Sequence, residues 1–215
     1  GLLTGGTALV AALLVLDPGV TGDSEELLRH SAFQVASIVT TTGYASTDFN
    51  LWSAAAKNVL FVGMFVGGMA GSTTCSIKTL RWLIVGKSFL RDLNVAAYPE
   101  SVRPVRLGPD IVDETTIRDV YAYTLVALVF FIVGTVLLVA DAERVGAPIS
   151  EFEALSASAS IFFNIGPAFG AAGPYGTYEG FAPTSKLLMV LLMWVGRIEI
   201  IPVLVLLTPT FWRRT

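Results

Sequence analysis

Long apolar runs separated by short polar stretches dominate the chain. A helix needs about 20 mostly apolar residues to span a bilayer. Four runs approach or reach that length, at residues 2–16, 51–66 and beyond, 119–140 and 184–207. Two shorter apolar segments, residues 25–39 and 151–163, lie between them. We expect the long runs to be spanning helices, the first cut short at its start, and the two shorter segments to be re-entrant helices.

Composition agrees with an all-α, polytopic membrane protein. The 215 residues are 53% hydrophobic and 14% charged, whereas soluble domains carry about 25% charged residues. The single Cys and single His exclude a disulfide framework and a His/Cys metal site. We therefore expect no enzyme and no resident cofactor. The apolar start at Gly1 has no basic region of a signal peptide, so we expect the chain to begin inside a longer protein.

Charge predicts the orientation of the chain. Basic residues mark the cytoplasmic side, and they cluster at Lys78, Arg81, Lys87, Arg91, Arg103, Arg106, Arg118, Arg213 and Arg214. The proline-containing stretch 92–117 is expected to be a polar cytoplasmic linker. Ten acidic residues fall on the opposite side, at Asp17, Asp23, Glu25, Glu26, Asp48, Asp141, Glu143, Glu151, Glu153 and Glu179. Such an outer surface concentrates cations, although a merely solvated surface has the same composition.

The two short apolar segments repeat one another. "ASIVTTTGYA" (36–45) aligns without a gap on "ASIFFNIGPA" (159–168) at an offset of 123 residues. The flanking order is also shared: apolar run, acidic loop, short helix, glycine turn, apolar run. This pattern predicts a parallel internal repeat.

Each short helix has a start signal at its acidic end. Ser150 and Glu153 fit a capping box, and Asp23 and Glu26 approximate one. Both helices should begin at the outer surface and direct the negative ends of their dipoles at mid-membrane, which favours a cation there. Capping that only stabilises the helices explains the same residues.

The glycine turn after the first short helix predicts an ion path. Non-helical backbone at membrane depth must be buried or line a water-filled path, and Thr40, Thr41, Thr42 and Gly43 would line it. Glycine allows left-handed backbone angles, and threonine stiffens the chain and adds a hydroxyl. A column of carbonyl oxygens can replace the hydration shell of potassium.

"TTTGYA" is similar to a potassium-channel filter, and the whole chain resembles the Trk, Ktr and HKT superfamily of potassium transporters. In that superfamily, four linked helix, pore-loop, helix units surround one pore. The resemblance implies that residues 1–91 and 118–215 are the third and fourth units, and that the first two lie upstream. It places the filters at Thr40, Thr41, Thr42, Gly43 and Tyr44, and at Asn164, Ile165, Gly166 and Pro167. Potassium would be held by the backbone of Thr41, Thr42, Gly43, Asn164, Ile165 and Gly166. A glycine in each filter implies preference for potassium, because sodium-permeable members tend to carry serine there.

"GGMAGSTTCSIK" (67–78) interrupts the second apolar run with residues that disfavour a helix. Helix packing through Gly67 and Gly71 in a GxxxG pattern is the alternative. The resemblance implies an intramembrane gate loop, formed by Gly67, Gly68, Gly71, Ser72 and Thr73. Cys75 and Ser76 replace a glycine pair of the family pattern, which implies a stiffer gate.

Arg197 lies within an apolar run, where charge is costly and is usually turned to function. The resemblance places it in the pore beside the gate loop. There it would raise the barrier to cations and hold the loop closed through hydrogen bonds to carbonyls. Pairing with a carboxylate or a helix end for packing alone is the other interpretation.

The function implied by the resemblance is potassium uptake across the plasma membrane. It further implies a homodimer and a cytosolic ring of nucleotide-binding regulatory subunits of the TrkA or KtrA kind, with no nucleic acid bound. Channel-like transport and symport both stay open. A secondary cation transporter coupled to sodium or protons is the rival class, with Glu199 as its candidate carboxylate.

Overall fold

The computed structural model describes residues 1–17, 19–20, 22–69, 71–72, 74–100, 103–198, 205–206 and 208–212. Regular structure within these residues is mostly helical. In chain order the helices are α1 (Leu2–Val15), α2 (Ser24–Val39), α3 (Ala54–Gly63), α4 (Thr79–Ala97), α5 (Glu114–Val145), α6 (Glu151–Phe162), α7 (Pro183–Ile198) and α8 (Pro209–Trp212). Short 3₁₀ helices lie at Phe49–Leu51, Gly170–Ala172 and Tyr178–Gly180. Among the predicted features, Thr73, Glu199, Arg213 and Arg214 lie outside the described residues.

Two groups of three helices share one arrangement. In the first group α1, α2 and α3 pack against one another, and in the second group α5, α6 and α7 do the same. The middle helix of each group is followed by a non-helical turn and a loop before the third helix begins. The order is the one expected from the sequence repeat.

The two short helices lie where the sequence places them, within about one residue at each end. At α6 the capping box is formed: Ser150 Oγ accepts from the Glu153 amide at 3.2 Å, and Glu153 Oε2 accepts from the Ser150 amide at 3.0 Å. At α2 the Asp23 carboxylate instead accepts from the Ser24 amide at 2.8 Å. The start of α2 is therefore capped by Asp23 without the reciprocal bond that Glu26 would make in a full capping box.

Within the described residues, one helix is long and apolar enough to cross a membrane. This helix is α5, with 32 residues. Helices α1 and α3 are shorter apolar helices. The second apolar run is not one helix, because α3 ends at Gly63 and α4 begins at Thr79. Residues 67–69 and 71 are not helical, so the GxxxG alternative is wrong.

The connection between the two groups differs from the predicted linker. Helix α4 includes the first residues of the predicted linker and ends at Ala97. Pro99 disfavours a helical conformation at Tyr98, the residue before it. Strands β1 (Arg106–Leu107) and β2 (Asp110–Ile111) then form an antiparallel hairpin. Strands this short lack enough alternating apolar positions to be recognised in the sequence. A small buried cluster of Ile84, Val105, Ile117 and Val120 packs the hairpin segment against α4 and α5.

Aromatic side chains join the two groups. The ring of Phe49 lies 5.2 Å from that of Phe169, and the ring of Phe65 lies 5.0 Å from Phe131 and 5.1 Å from Phe163. All three pairs meet edge to face, a geometry that contributes about 0.5–1.5 kcal/mol per pair beyond area burial. The turns that follow α2 and α6 are thereby held side by side.

Candidate functional site

The turns after α2 and α6 have matching backbone conformations. Thr41 and Asn164 both have a φ of 53°, and Gly43 and Gly166 have φ values of 77° and 117°. Each pair is related by the offset of the sequence repeat. Left-handed angles are uncommon outside glycine and costly for a β-branched residue such as threonine. Two such turns at equivalent positions indicate that the conformation itself is required.

A buried serine supports each turn from its helix. Ser37 Oγ donates to the Tyr44 carbonyl at 2.5 Å, and Ser160 Oγ donates to the Pro167 carbonyl at 2.8 Å. Ser160 Oγ also accepts from the Gly166 amide at 3.1 Å. We did not identify either serine from the sequence, although both are identical between the two repeats. That identity was the available signal.

The two turns touch each other. A Cβ placed on Gly43 would lie 2.0 Å from the carbonyl oxygen of Ile165, which leaves room for glycine alone. A Cβ on Gly166 would lie 3.9 Å from the Gly43 Cα. The structure thus brings the two predicted filter segments together through backbone atoms.

The threonine hydroxyls of the first turn are partly engaged. Thr40 Oγ1 donates to the Ala36 carbonyl at 2.7 Å and lies 2.7 Å from Thr42 Oγ1. Both threonines are exposed, and the Tyr44 side chain is 73% exposed. The turn therefore presents oxygen atoms on a surface that the described residues leave open.

Two side chains hold the loop beyond the second turn. From the sequence we predicted Glu153 only as part of the capping box, and we did not identify Asn50. Asn50 bonds Gly170 twice, through its Nδ2 to the carbonyl at 3.1 Å and through its Oδ1 from the amide at 3.0 Å. Glu153 Oε1 accepts from the Ala171 amide at 2.9 Å. Asn50 belongs to the first group and Gly170 to the second, so this contact fixes one turn region relative to the other. No local sequence pattern predicts a contact between residues 120 positions apart.

Backbone hydrogen bonds join the two ends of the predicted gate loop, between α3 and α4. The Gly67 amide donates to the Ile77 carbonyl at 2.9 Å, and the Thr79 amide donates to the Gly68 carbonyl at 3.1 Å. A Cβ on Gly67 would lie 2.9 Å from the Ser76 carbonyl oxygen, so the two sides of the loop approach closely.

Side-chain hydrogen bonds also stabilise this loop, and one of its glycines has a left-handed backbone conformation. Ser76 Oγ donates to the Met64 carbonyl at 2.8 Å, and the Gly68 amide donates to Thr74 Oγ1 at 3.0 Å. Ser72 Oγ accepts from the Thr74 amide at 3.3 Å. Gly71 has a φ of 87° with open space beside it.

Arg197 reaches this loop from α7. Its Nη1 donates to Cys75 Sγ at 3.1 Å, across 122 residues. The cavity there has a volume of about 200 Å³ and is lined by Ser72, Cys75, Lys78, Arg81, Tyr123 and Arg197, among others. The structure thus brings Arg197 to the predicted gate loop, where it contacts the cysteine that departs from the family pattern.

Helix α7 also contacts the second turn. Asn164 Nδ2 donates to the Met193 carbonyl at 3.1 Å, one helical turn before Arg197. A Cβ on Gly196 would lie 1.8 Å from the Phe162 carbonyl oxygen, so α7 packs directly against the end of α6. The second turn, α7 and the loop are therefore mechanically connected.

Among the described residues, no group of three or more His, Cys, Asp or Glu side chains could hold a metal ion.

Two helical groups with matched left-handed turns, connected through a glycine-rich loop, α4 and a short β-hairpin, define a mostly helical protein built from an internal repeat. Residues 6–213 match the TrkH family, described as "Cation transport protein". The chain therefore belongs to the TrkH family.

Several curated proteins and a solved structure are similar to this chain. The "Trk system potassium uptake protein TrkH" of Halomonas elongata is 33% identical over 91% of the chain and 39% of its own length. The Escherichia coli K12 protein of the same name is 28% identical over 86% of the chain and 37% of its own length. The crystal structure of the potassium transporter TrkH from Vibrio parahaemolyticus superposes with a TM-score of 0.87 at 26% identity, covering 98% of this chain and 43% of that one. The chain spans about two fifths of the length of these relatives.

Proposed function

We propose that this chain is part of a plasma-membrane protein that takes up potassium ions through a carbonyl-lined selectivity filter. The observation that carries the proposal is the contact between the two matched turns, where Gly43 lies against the carbonyl of Ile165. The potassium uptake named for the relatives supports it.

The turns suit a dehydrated monovalent cation. Backbone carbonyls can replace the hydration shell of potassium, and the proposed ligands are the carbonyls of Thr41, Thr42, Gly43, Asn164, Ile165 and Gly166. Both turns follow the C-terminal ends of helices, where the macrodipole is negative. A ring of carbonyls closed around the ion needs further units, which we assign to the rest of the protein.

The outer surface of α5 supports a membrane location. Leu125, Ile132 and Val136 on this helix are 65%, 55% and 60% exposed. Removing apolar surface from water stabilises by about 25 cal/mol per Å², so a bilayer is the favourable surrounding for this helix. We propose a multi-pass arrangement in which α2 and α6 are re-entrant.

The closed loop between α3 and α4 suits a gate. Hydrogen bonds join its two ends, and Arg197 places a positive charge beside it. A fixed positive charge raises the barrier to a cation. Opening would require the Arg197 to Cys75 contact to separate.

Partners are proposed from the family. The relatives are named for a "Trk system", and we propose a homodimer that works with a cytosolic ring of nucleotide-binding subunits. The basic segment around α4 and the hairpin is the proposed docking side. Glu199, the candidate carboxylate of a coupled transporter, lies outside the described residues.

Rubidium uptake tests the proposal. The protein as encoded by its gene is expressed, with its partner subunits, in cells that lack potassium uptake of their own. Uptake of tracer rubidium that potassium competes away and sodium does not is the expected result. Verified membrane expression with no uptake above that of cells lacking the protein would overturn it.

A further inference from the structure

The carbonyl of Gly166, in the second turn, accepts a side-chain hydrogen bond. The donor is the hydroxyl of Tyr178, at 2.8 Å. Tyr178 begins the 3₁₀ helix in the loop between the second turn and α7, and its ring lies 5.6 Å from that of Phe181. A cavity of about 340 Å³ borders this contact, with Ser160, Gly166 and Tyr178 in its wall. The phenol is therefore placed by packing directly at a proposed ion ligand.

The first turn lacks this feature. Among the described residues, no side chain donates a hydrogen bond to the carbonyl of Gly43, the repeat equivalent of Gly166. The position that corresponds to Tyr178 by the repeat offset is Ala55, inside α3. The loop after the second turn is also longer than the loop after the first, and the added length carries the tyrosine. Two turns that agree in backbone and in serine support thus differ at one carbonyl.

A hydrogen bond to a carbonyl changes what the oxygen offers to an ion. The donated proton puts positive charge beside the oxygen and occupies one of its two lone pairs. The field that the oxygen presents to a cation is therefore weaker, and its position is fixed. Weaker ligand fields favour larger monovalent cations, because a small ion gains less from them to offset its greater dehydration cost. Burial raises the pKa of Tyr178 to about 12, so the hydroxyl is a donor at every physiological pH.

We propose that Tyr178 is a specificity-determining residue of the ion pathway, which lowers the field of the Gly166 carbonyl and so favours potassium over sodium. The proposal rests on the proposed function. It assigns to the second turn a selectivity device that the first turn does not have.

Relative uptake of four cations by a Tyr178→Phe variant tests the proposal. Sodium, potassium, rubidium and caesium are compared in the protein as encoded by its gene, with its partner subunits. Without the hydroxyl, sodium uptake relative to potassium should rise by about two- to tenfold, the range that one neutral hydrogen bond represents. Caesium uptake relative to potassium should fall. Tyr175→Phe, at a position in the same loop that is 69% exposed, should leave both ratios unchanged.

Comparing the four ions distinguishes a change in the field of the Gly166 carbonyl from a general loosening of the second turn. A turn that merely loses support should discriminate less in general, so that sodium and caesium both rise relative to potassium. That result would overturn the proposal, as would unchanged ratios or a Tyr178→Phe protein that fails to accumulate in the membrane. Absence of potassium-selective uptake in the wild type would instead remove the proposed function, which distinguishes the two failures.

Discussion

Gly43 packs against the carbonyl oxygen of Ile165, with a distance of only 2.0 Å from that oxygen to the place a Cβ would occupy. The contact joins the two turns of the repeat through backbone atoms. It also combines two independent restrictions on the residue at 43, a left-handed φ of 77° and the lack of space for a side chain.

Gly43→Ser should therefore degrade discrimination between potassium and sodium. The left-handed angle costs a side-chain residue roughly 1–2 kcal/mol, and the new Cβ must displace the Ile165 carbonyl. A sodium to potassium uptake ratio about tenfold above wild type is expected, measured by tracer uptake.

Gly146→Ser is the matched control, because it introduces the strain of a side chain at a left-handed backbone angle without a clash against a neighbouring group. Gly146 has a φ of 74° and open space around its Cβ position. This variant should lose some stability and keep the wild-type ratio. Equal ratios in Gly43→Ser and wild type would count against placing a filter at the first turn.

Arg197→Ala should raise the flux of rubidium. A unit charge roughly 10 Å from the ion contributes about 1.7 kcal/mol at an effective dielectric constant of about 20, so an increase on the order of tenfold is expected. Cys75→Ala removes the acceptor of the Arg197 bond and should raise flux by less, because the charge stays.

Arg118→Ala is the control for loss of a cation elsewhere, since Arg118 is exposed near the start of α5. Its flux should match wild type. Wild-type flux in Arg197→Ala, at equal membrane abundance, would remove Arg197 from the gate.

Ser160→Ala should weaken the second turn. The substitution leaves the Pro167 carbonyl and the Gly166 amide without the hydroxyl that serves both, which costs about 1 kcal/mol because water can reach these partly exposed groups. Ser37→Ala should have the same effect on the first turn. Thermal unfolding in detergent and the sodium to potassium ratio measure both consequences.

Ser158→Ala, on the same helix, separates filter support from general stability. Ser158 donates to the Phe131 carbonyl at 3.0 Å. That carbonyl also accepts from Thr135, so it keeps a hydrogen-bond donor in the variant. We expect lower stability at most, with the ion ratio preserved. If Ser158→Ala changed the ratio as much as Ser160→Ala, the serine of the turn would have no special role.

Asn50→Ala should loosen the attachment between the two helical groups. It removes both hydrogen bonds to Gly170. The free energy of unfolding should fall by only about 1 kcal/mol, because solvent can reach the groups that lose their partners. A drop of roughly 2–4 °C in the thermal midpoint corresponds to that loss. Asn58→Ala, at an exposed position of α3, should leave the midpoint unchanged. A midpoint shift no larger than that of Asn58→Ala would show that the contact does not join the groups.

The sequence by itself determined the features that depend on neighbouring residues. Apolar run length and the capping box at Ser150 located the short helices, and the repeat aligned Gly43 with Gly166. The glycine-rich composition after Gly63 indicated the break in the second apolar run. Each of these is a local preference of backbone or side chain, so it can be read without knowing what packs against it.

Tertiary structure alone decided the contacts that give these features their chemistry. Arg197 meets Cys75 across 122 residues, Asn50 meets Gly170 across 120, and Tyr178 turns back on Gly166 across a loop of irregular structure. Hydrogen bonds form only within about 3 Å, and no sequence pattern specifies which distant groups approach that closely. Packing of the aromatic residues between the two helical groups helps to set those distances.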